Sequence, residues 1–166
     1  MFINKGFWKI RCQSQEKDFK NKNINYIIKE INERREYVME KKIILSSEKV
    51  PAAIGPYSPA VKIGKLMFIS GQLPVNPENG NLIKGDIKEQ TVQILKNLSA
   101  LLDLYSLTLK NVVKTTVFLK DMNNFSEFNK AYAQYFNEEF PARSCVEVAR
   151  LPKDAEIEIE AIVVCD

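Results

Sequence analysis

Residues 140–165, FPARSCVEVARLPKDAEIEIEAIVVC, decide how this chain is read. From 156 the stretch alternates acidic and apolar residues before running into Ala161-Ile162-Val163-Val164, a strand pattern of period two. Ile157, Ile159, Ala161 and Val163 fall on one side, and Glu156, Glu158 and Glu160 on the other. Residues 144–149 carry a second strand pattern, entered after the break at Phe140-Pro141 and joined to the last strand by a loop over 151–155. If the chain is extended from Arg143, Val146 and Val148 share one face, while Arg143, Cys145 and Glu147 share the opposite one. These two strands predict a sheet with one apolar face and one mixed face, on which Arg143, Cys145 and Glu158 converge.

Upstream, VVKTTVFL at 112–119 is β-branched and reads as a strand. Asn123 or Asn124 is a candidate cap for a helix whose stripe is Phe125, Phe128, Tyr132, Tyr135 and Phe136. Asp86 with Glu89 three residues later is a capping-box pattern, and Val92, Leu95, Leu98, Leu101 and Leu102 repeat at helical spacing to about Leu104. Residues 60–63 and 66–70 flank Gly64-Lys65, a two-residue hairpin signal. Leu66 to Ile69 are apolar on both faces, so that strand is expected to be central and covered on both sides. KIILS at 42–46 reads as a first short strand, and VPAAIGPYS at 50–58 as an ordered loop. The order β-β-β-α-β-α-β-β predicts an α+β fold, a single mixed β-sheet with two helices on one face. A monomer would leave the mixed face in water beside a doubly apolar strand, so a closed cyclic oligomer with sites between subunits is expected.

Composition narrows the chemistry. The chain of 166 residues contains no histidine, which excludes Ser-His-Asp and Cys-His nucleophile pairs and His-ligated zinc. Cys12, Cys145 and Cys165 form no C-x-x-C pair, so reduced thiols are the expectation. The net charge of +3 sits unevenly: residues 1–40 hold nine Lys/Arg against six Asp/Glu, and residues 41–166 hold fifteen of each. The neutral domain at 41–166 therefore lacks the bulk basic footprint that nucleic-acid binding requires. Residues 1–40 read as a basic extension with aromatic Phe2, Phe7 and Trp8, disordered in part, and with helical spacing over 24–42. No apolar run is long enough to span a bilayer.

Each candidate site residue carries a chemical reason. Arg143 presents a planar fork that matches a carboxylate. Glu158, flanked by Glu156 and Glu160, has a carboxyl that neighbouring charge and burial would raise toward general-base range. Gly71 after Ser70 permits close approach of another group. Tyr57 sits on a Pro-stiffened loop suited to a pocket mouth, and Asn129 follows Phe128 on the second helix. Cys145 has no imidazole to activate it and is a lining residue rather than a nucleophile.

PAAIGPYSPAV (51–61), ISGQLPVNP (69–77), VKTTVFLKD (113–121) and FPARSCVEVARLPKDAEIEIEA (140–161) together closely resemble the Rid/YjgF family, the reactive intermediate deaminases also labelled L-PSP endoribonucleases. The resemblance covers residues 42–166 and leaves 1–40 without a counterpart. It implies a chorismate-mutase-like fold in a homotrimer with three inter-subunit clefts. It also implies hydrolysis of 2-iminobutanoate and 2-iminopropanoate, the reactive enamine/imine products of pyridoxal-phosphate-dependent dehydratases, to 2-oxo acids and ammonia. No cofactor and no metal are implied. Carried over by position, Arg143 would bind the substrate carboxylate and Glu158 would activate water. Tyr57, Ser70, Gly71, Asn129 and Cys145 would line the cleft. The competing expectations are an endoribonuclease or translation inhibitor, and a non-catalytic carboxylate-binding or chaperone-like trimer. Cytoplasm is the expected location, or a mitochondrion or plastid if residues 1–40 are a targeting segment.

Overall fold

A computed structural model describes residues 26–29, 41–43 and 55–165. The chain divides into two units, Met1–Glu40 and Lys41–Asp166. In the first, residues 26–29 form a helical turn with exposed side chains, and the rest of the helical spacing over 24–42 lies outside the described residues. The same holds for 44–46 of the expected first strand and 50–54 of the expected loop.

The second unit runs β1 (Lys41–Ile43), β2 (Ala60–Ile63), β3 (Leu66–Gln72), α1 (Ile87–Asp103), β4 (Val112–Leu119), α2 (Phe125–Tyr132), β5 (Ala142–Glu147) and β6 (Ile157–Val164). Among the described residues these strands make one sheet in the order β1-β2-β3-β6-β4-β5. Only β4–β5 is a parallel pair. The α+β fold with a single mixed sheet is thus as the periodicities indicate. The hairpin between β2 and β3 closes at Gly64, whose φ of +56° suits a residue without a Cβ.

Helix α1 starts where its sequence asks. The Glu89 amide donates to the Asp86 carboxylate at 2.9 Å, and the Asp86 amide donates to the Glu89 carboxylate at 3.0 Å. Reciprocal caps of this kind are worth about 1 kcal/mol. Ile94, Leu95, Leu98, Leu101 and Leu102 are buried against Met67, Ile69, Val117, Leu119, Ile157, Ile159 and Val163 of the sheet. Each such side chain contributes about 1.5–3 kcal/mol of burial. Asn97, also buried, donates to the Val75 carbonyl at 2.8 Å and so ties the loop after β3 to the helix.

Asn124, one of the two expected caps, holds the N-cap position of α2. A 3-10 turn at Met122–Asn124 precedes the helix, and Asp121 caps that turn by accepting from the Asn123 amide at 2.9 Å. Asn124 makes no side-chain cap bond. A carboxylate is the stronger acceptor for an amide at a helical start, so the side-chain bond is made at the preceding turn rather than at α2 itself.

The sheet's other face is open in the single chain. Met67 and Ile69 of β3 are buried, but Leu66 and Phe68 are 41% and 43% exposed, beside exposed Ile63. The strand is central, as its sequence indicates, yet covered by helices on one side only. Among the described residues no helix is long and apolar enough to cross a membrane.

Candidate functional site

Strand register assigns each candidate to a face. Thr115 pairs with both Arg143 and Ala161, and Val117 pairs with both Cys145 and Ile159. Thr115, Val117, Ala161 and Ile159 are buried in the core, so Arg143 and Cys145 lie on the helix side. Phe118 pairs with Val146 and Glu158, which places Glu158 on the open side. The expected convergence of Arg143, Cys145 and Glu158 on one sheet face is therefore corrected: the chain divides them between opposite faces. The assumption that failed was that Val146 points inward. Val146 is 44% exposed. Three contacts outweigh it: Cys145 packs on the core, the Glu147 carboxylate accepts from the Met122 amide at 2.7 Å, and Arg143 stacks on α2. One valine on an edge strand is a weak vote against a charge-assisted bond and an aromatic row.

On the helix side, the Arg143 Cζ lies 4.8 Å from the ring centroid of Tyr132, 5.1 Å from Phe128 and 5.7 Å from Phe125. Among the described residues its guanidinium makes no hydrogen bond and no ion pair, although it is half-buried. It is a cation with its in-plane donors unspent. Burial pushes the Cys145 thiol up, and the Arg143 charge only opposes that shift, so the sulfur is a neutral wall rather than a thiolate. Burial likewise raises the Tyr132 hydroxyl, against a 2.8 Å hydrogen bond with Thr115 and the nearby Arg143 charge. Asn129 is half-buried on α2, one residue after Phe128.

On the open side, the Ser70 hydroxyl donates to the Ser58 carbonyl at 2.7 Å, and the Ser70 amide to the Pro59 carbonyl at 3.0 Å. These bonds pin the loop carrying the exposed Tyr57 to the end of β3. The β3–β6 register slips between Ile69 and Gln72, which bulges Ser70 and Gly71. The Gln72 side chain spans the bulge, donating to the Ser70 carbonyl at 3.0 Å. Glu158 lies against Gly71 so closely that a Cβ there would sit 2.6 Å from its carboxyl carbon and 2.9 Å from its Cγ. Burial, and secondarily the Glu160 charge, raise the Glu158 carboxyl above the ordinary range. The Glu156 carboxylate is tied to Lys120 at 2.6 Å.

The candidates thus fall into two groups. Ser70, Gly71 and Glu158 meet at the bulge, with Tyr57 on the loop pinned to it; Arg143 and Cys145 lie on the other face, below α2. The aromatic row over Arg143 was legible only as a packing stripe, since nothing in its spacing says which strand residue crosses it. No three His, Cys, Asp or Glu side chains cluster as metal ligands do among the described residues.

The model for the family described as endoribonuclease L-PSP matches residues 47–165. The chain belongs to this family, the Rid/YjgF proteins. A RutC family protein of Pyrococcus horikoshii is 53% identical over 121 residues, covering 73% of this chain and 96% of that protein. An Escherichia coli protein named 2-iminobutanoate/2-iminopropanoate deaminase is 50% identical over 123 residues, covering 72% of this chain and 95% of that protein. Escherichia coli TdcF, solved with bound serine, is 42% identical with a TM-score of 0.71, covering 75% of this chain and all of that one. Residues 1–40 of this Rid protein fall outside the family match.

Proposed function

We propose that this Rid protein is a 2-iminobutanoate/2-iminopropanoate deaminase, hydrolysing reactive 2-imino acids to 2-oxo acids and ammonia at clefts between the subunits of a homotrimer. The observation that carries the reading is that one chain bears two groups on opposite faces: a half-buried guanidinium with unspent donors on one, and an elevated carboxyl against a glycine bulge on the other. Each supplies what the other lacks. A relative at half identity bears the deaminase name, and another was solved holding an amino acid, a small carboxylate.

The chemistry asks little of the protein. An imine carbon is already electrophilic, so hydrolysis needs a carboxylate anchor and one placed water rather than a metal, an imidazole or a cofactor. Arg143 of one subunit holds the substrate carboxylate through its fork. Glu158 of the next subunit, its carboxyl raised, takes a proton from the attacking water. Tyr57, Ser70 and Gly71 flank that glutamate, and Asn129 and Cys145 flank the arginine. The open face, with exposed Ile63, Leu66 and Phe68, is the surface the trimer buries.

The test uses two variants, Arg143→Ala and Glu158→Gln, assayed with threonine dehydratase and threonine while semicarbazide traps free imine and 2-oxobutyrate release is followed. Each alone is expected to be nearly inactive. Co-refolded in equal amounts, they regenerate one complete cleft in every mixed trimer, about a quarter of the wild-type sites on random assembly. No recovery would overturn the inter-subunit assignment, and wild-type turnover by Arg143→Ala would overturn the anchor. RNA cleavage without imine hydrolysis would replace the deaminase with the nuclease that the family description names.

A further inference from the structure

Phe125, Phe128 and Tyr132 recur at i, i+3 and i+7, a spacing that puts all three rings on one stripe of α2. Their centroids step along the helix, Phe125 to Phe128 at 6.3 Å and Phe128 to Tyr132 at 5.4 Å. The guanidinium of Arg143 lies within 6 Å of all three, the range of an effective cation–π contact. The stripe is itself held. The Tyr132 hydroxyl is fixed by Thr115 at 2.8 Å, on the β4 residue that is the register partner of Arg143. Phe136 stacks on Tyr132 from the far side at 4.5 Å.

We propose that Phe125, Phe128 and Tyr132 form an aromatic cradle that positions Arg143 for a carboxylate, setting affinity for the acid group; this rests on the reading of Arg143 as the substrate anchor. An arginine can be ordered by a carboxylate partner or by ring faces, and the two have opposite consequences. A carboxylate would occupy the fork and cancel the charge. Ring faces attract the cation through their quadrupole, occupy none of its five N–H donors and leave its charge whole. The donors stay directed in the guanidinium plane, where an incoming carboxylate meets them. The rings also shield the cation from water on the helix side, which strengthens its attraction for an anion.

The experiment measures 2-oxobutyrate binding by calorimetry, and imine turnover, for the wild type and five variants of the full chain. Phe128→Leu and Tyr132→Leu are expected to weaken 2-oxobutyrate binding by about three- to thirtyfold and to raise KM far more than they lower kcat. Tyr132→Phe, which restores the ring without the hydroxyl, is expected to recover most of the affinity lost in Tyr132→Leu. Phe136→Leu is the control for packing: it removes an equally buried ring of the same row that stacks on Tyr132 and is not one of the three rings over Arg143. It should lower thermal stability without weakening 2-oxobutyrate binding. If Phe136→Leu weakens binding as much as Phe128→Leu, or if Tyr132→Phe recovers nothing beyond Tyr132→Leu, the cradle is refuted. Arg143→Ala separates the two levels. Lost binding in Arg143→Ala with intact binding in Phe128→Leu refutes the cradle alone, whereas intact binding in Arg143→Ala refutes the anchor beneath it.

Discussion

Replacing Gly71 by alanine is the sharpest perturbation the geometry offers, because it should separate stability from activity. Gly71 does not have a positive φ, so an alanine meets no backbone strain there. It meets Glu158: the new Cβ would lie 2.6 Å from the carboxyl carbon and 2.9 Å from Cγ, and nearer still to Oε1. The atoms struck belong to the end of a flexible side chain, which gives way by leaving its rotamer at a cost of about 0.5–1.5 kcal/mol. Removing a glycine restricts the unfolded chain and contributes about 0.4–1 kcal/mol in the other direction. The two nearly cancel, so the melting temperature should stay within about 2–4 °C of wild type. Activity should not stay, because the displaced group is the proposed base, and a positioned general base is worth about 10²- to 10⁴-fold in rate. The coupled threonine dehydratase assay reads the loss in kcat, and calorimetry on the same preparation reads stability. A double-mutant cycle completes the argument. In a Glu158→Gln background the base is already gone, so Gly71→Ala should cost less than about threefold more. Wild-type turnover by Gly71→Ala, or full additivity of the two losses, would refute the claim that this glycine exists to seat Glu158.

Other expectations follow from single contacts. Glu158→Gln should raise the denaturant midpoint at neutral pH, since burial and Glu160 hold the native carboxyl above its unfolded value and its ionised form therefore weighs against folding. That gain should shrink as pH falls through the raised native pKa, and vanish below the unfolded carboxylate value of about 4.3; a gain independent of pH would contradict the assignment. Asn97→Ala should destabilise by about 1–3 kcal/mol, read by urea unfolding, because it strands the Val75 carbonyl in a buried setting; an unchanged midpoint would mean that the loop after β3 is anchored elsewhere. The Glu127 carboxyl, held down to about 2 by Lys130 first and Lys88 second, contributes stability above the unfolded carboxylate range that is lost as pH falls toward that value. Its carbon-13 titration midpoint should rise in Lys130→Met and in high salt, the pair lying at the surface; a midpoint insensitive to both would place the cause elsewhere.

Much of the fold was legible because local pattern and tertiary structure agree. The VVKTTVFL segment is a strand over the same residues that its β-branching marks, and the Asp86–Glu89 box opens α1 where the leucine repeat begins. Disagreement begins where a residue's fate depends on a distant partner. Arg143 and Cys145 read as facing away from the helices because Val146 and Val148 looked like the inward pair. The parallel register with β4 decides otherwise, and nothing within β5 encodes that register. The contact of Gly71 with Glu158 was equally hidden. Both residues stood out singly, but their meeting depends on β3 pairing with β6 and on a bulge at Ser70-Gly71 that period-two alternation cannot express. The Phe125–Phe128–Tyr132 stripe shows a further ambiguity: a helix face that packs on a sheet and one that cradles a cation have the same periodicity, and only the residue crossing it separates them.

The division of the half-sites between two faces bears on the symmetry of the proposed assembly. In a two-fold dimer a single patch must contact its own copy, so Arg143 could reach a neighbour's Glu158 only if both belonged to that one patch. They do not: the sheet lies between them, with Arg143 beneath α2 and Glu158 on the open side. In the proposed assembly a neighbour would therefore meet this chain through two different surfaces, offering its Glu158 side to one flank and its Arg143 side to the other. Such head-to-tail contacts either close into a ring or propagate as a filament. The exposed apolar residues Ile63, Leu66 and Phe68 on the open face favour closure, because a ring that turns these faces inward buries them together around its axis, whereas an open filament would leave terminal copies in water. On this argument the apolar face and the divided site are one design, and a variant such as Phe68→Glu should release monomers and abolish turnover together, although Phe68 is none of the proposed site residues.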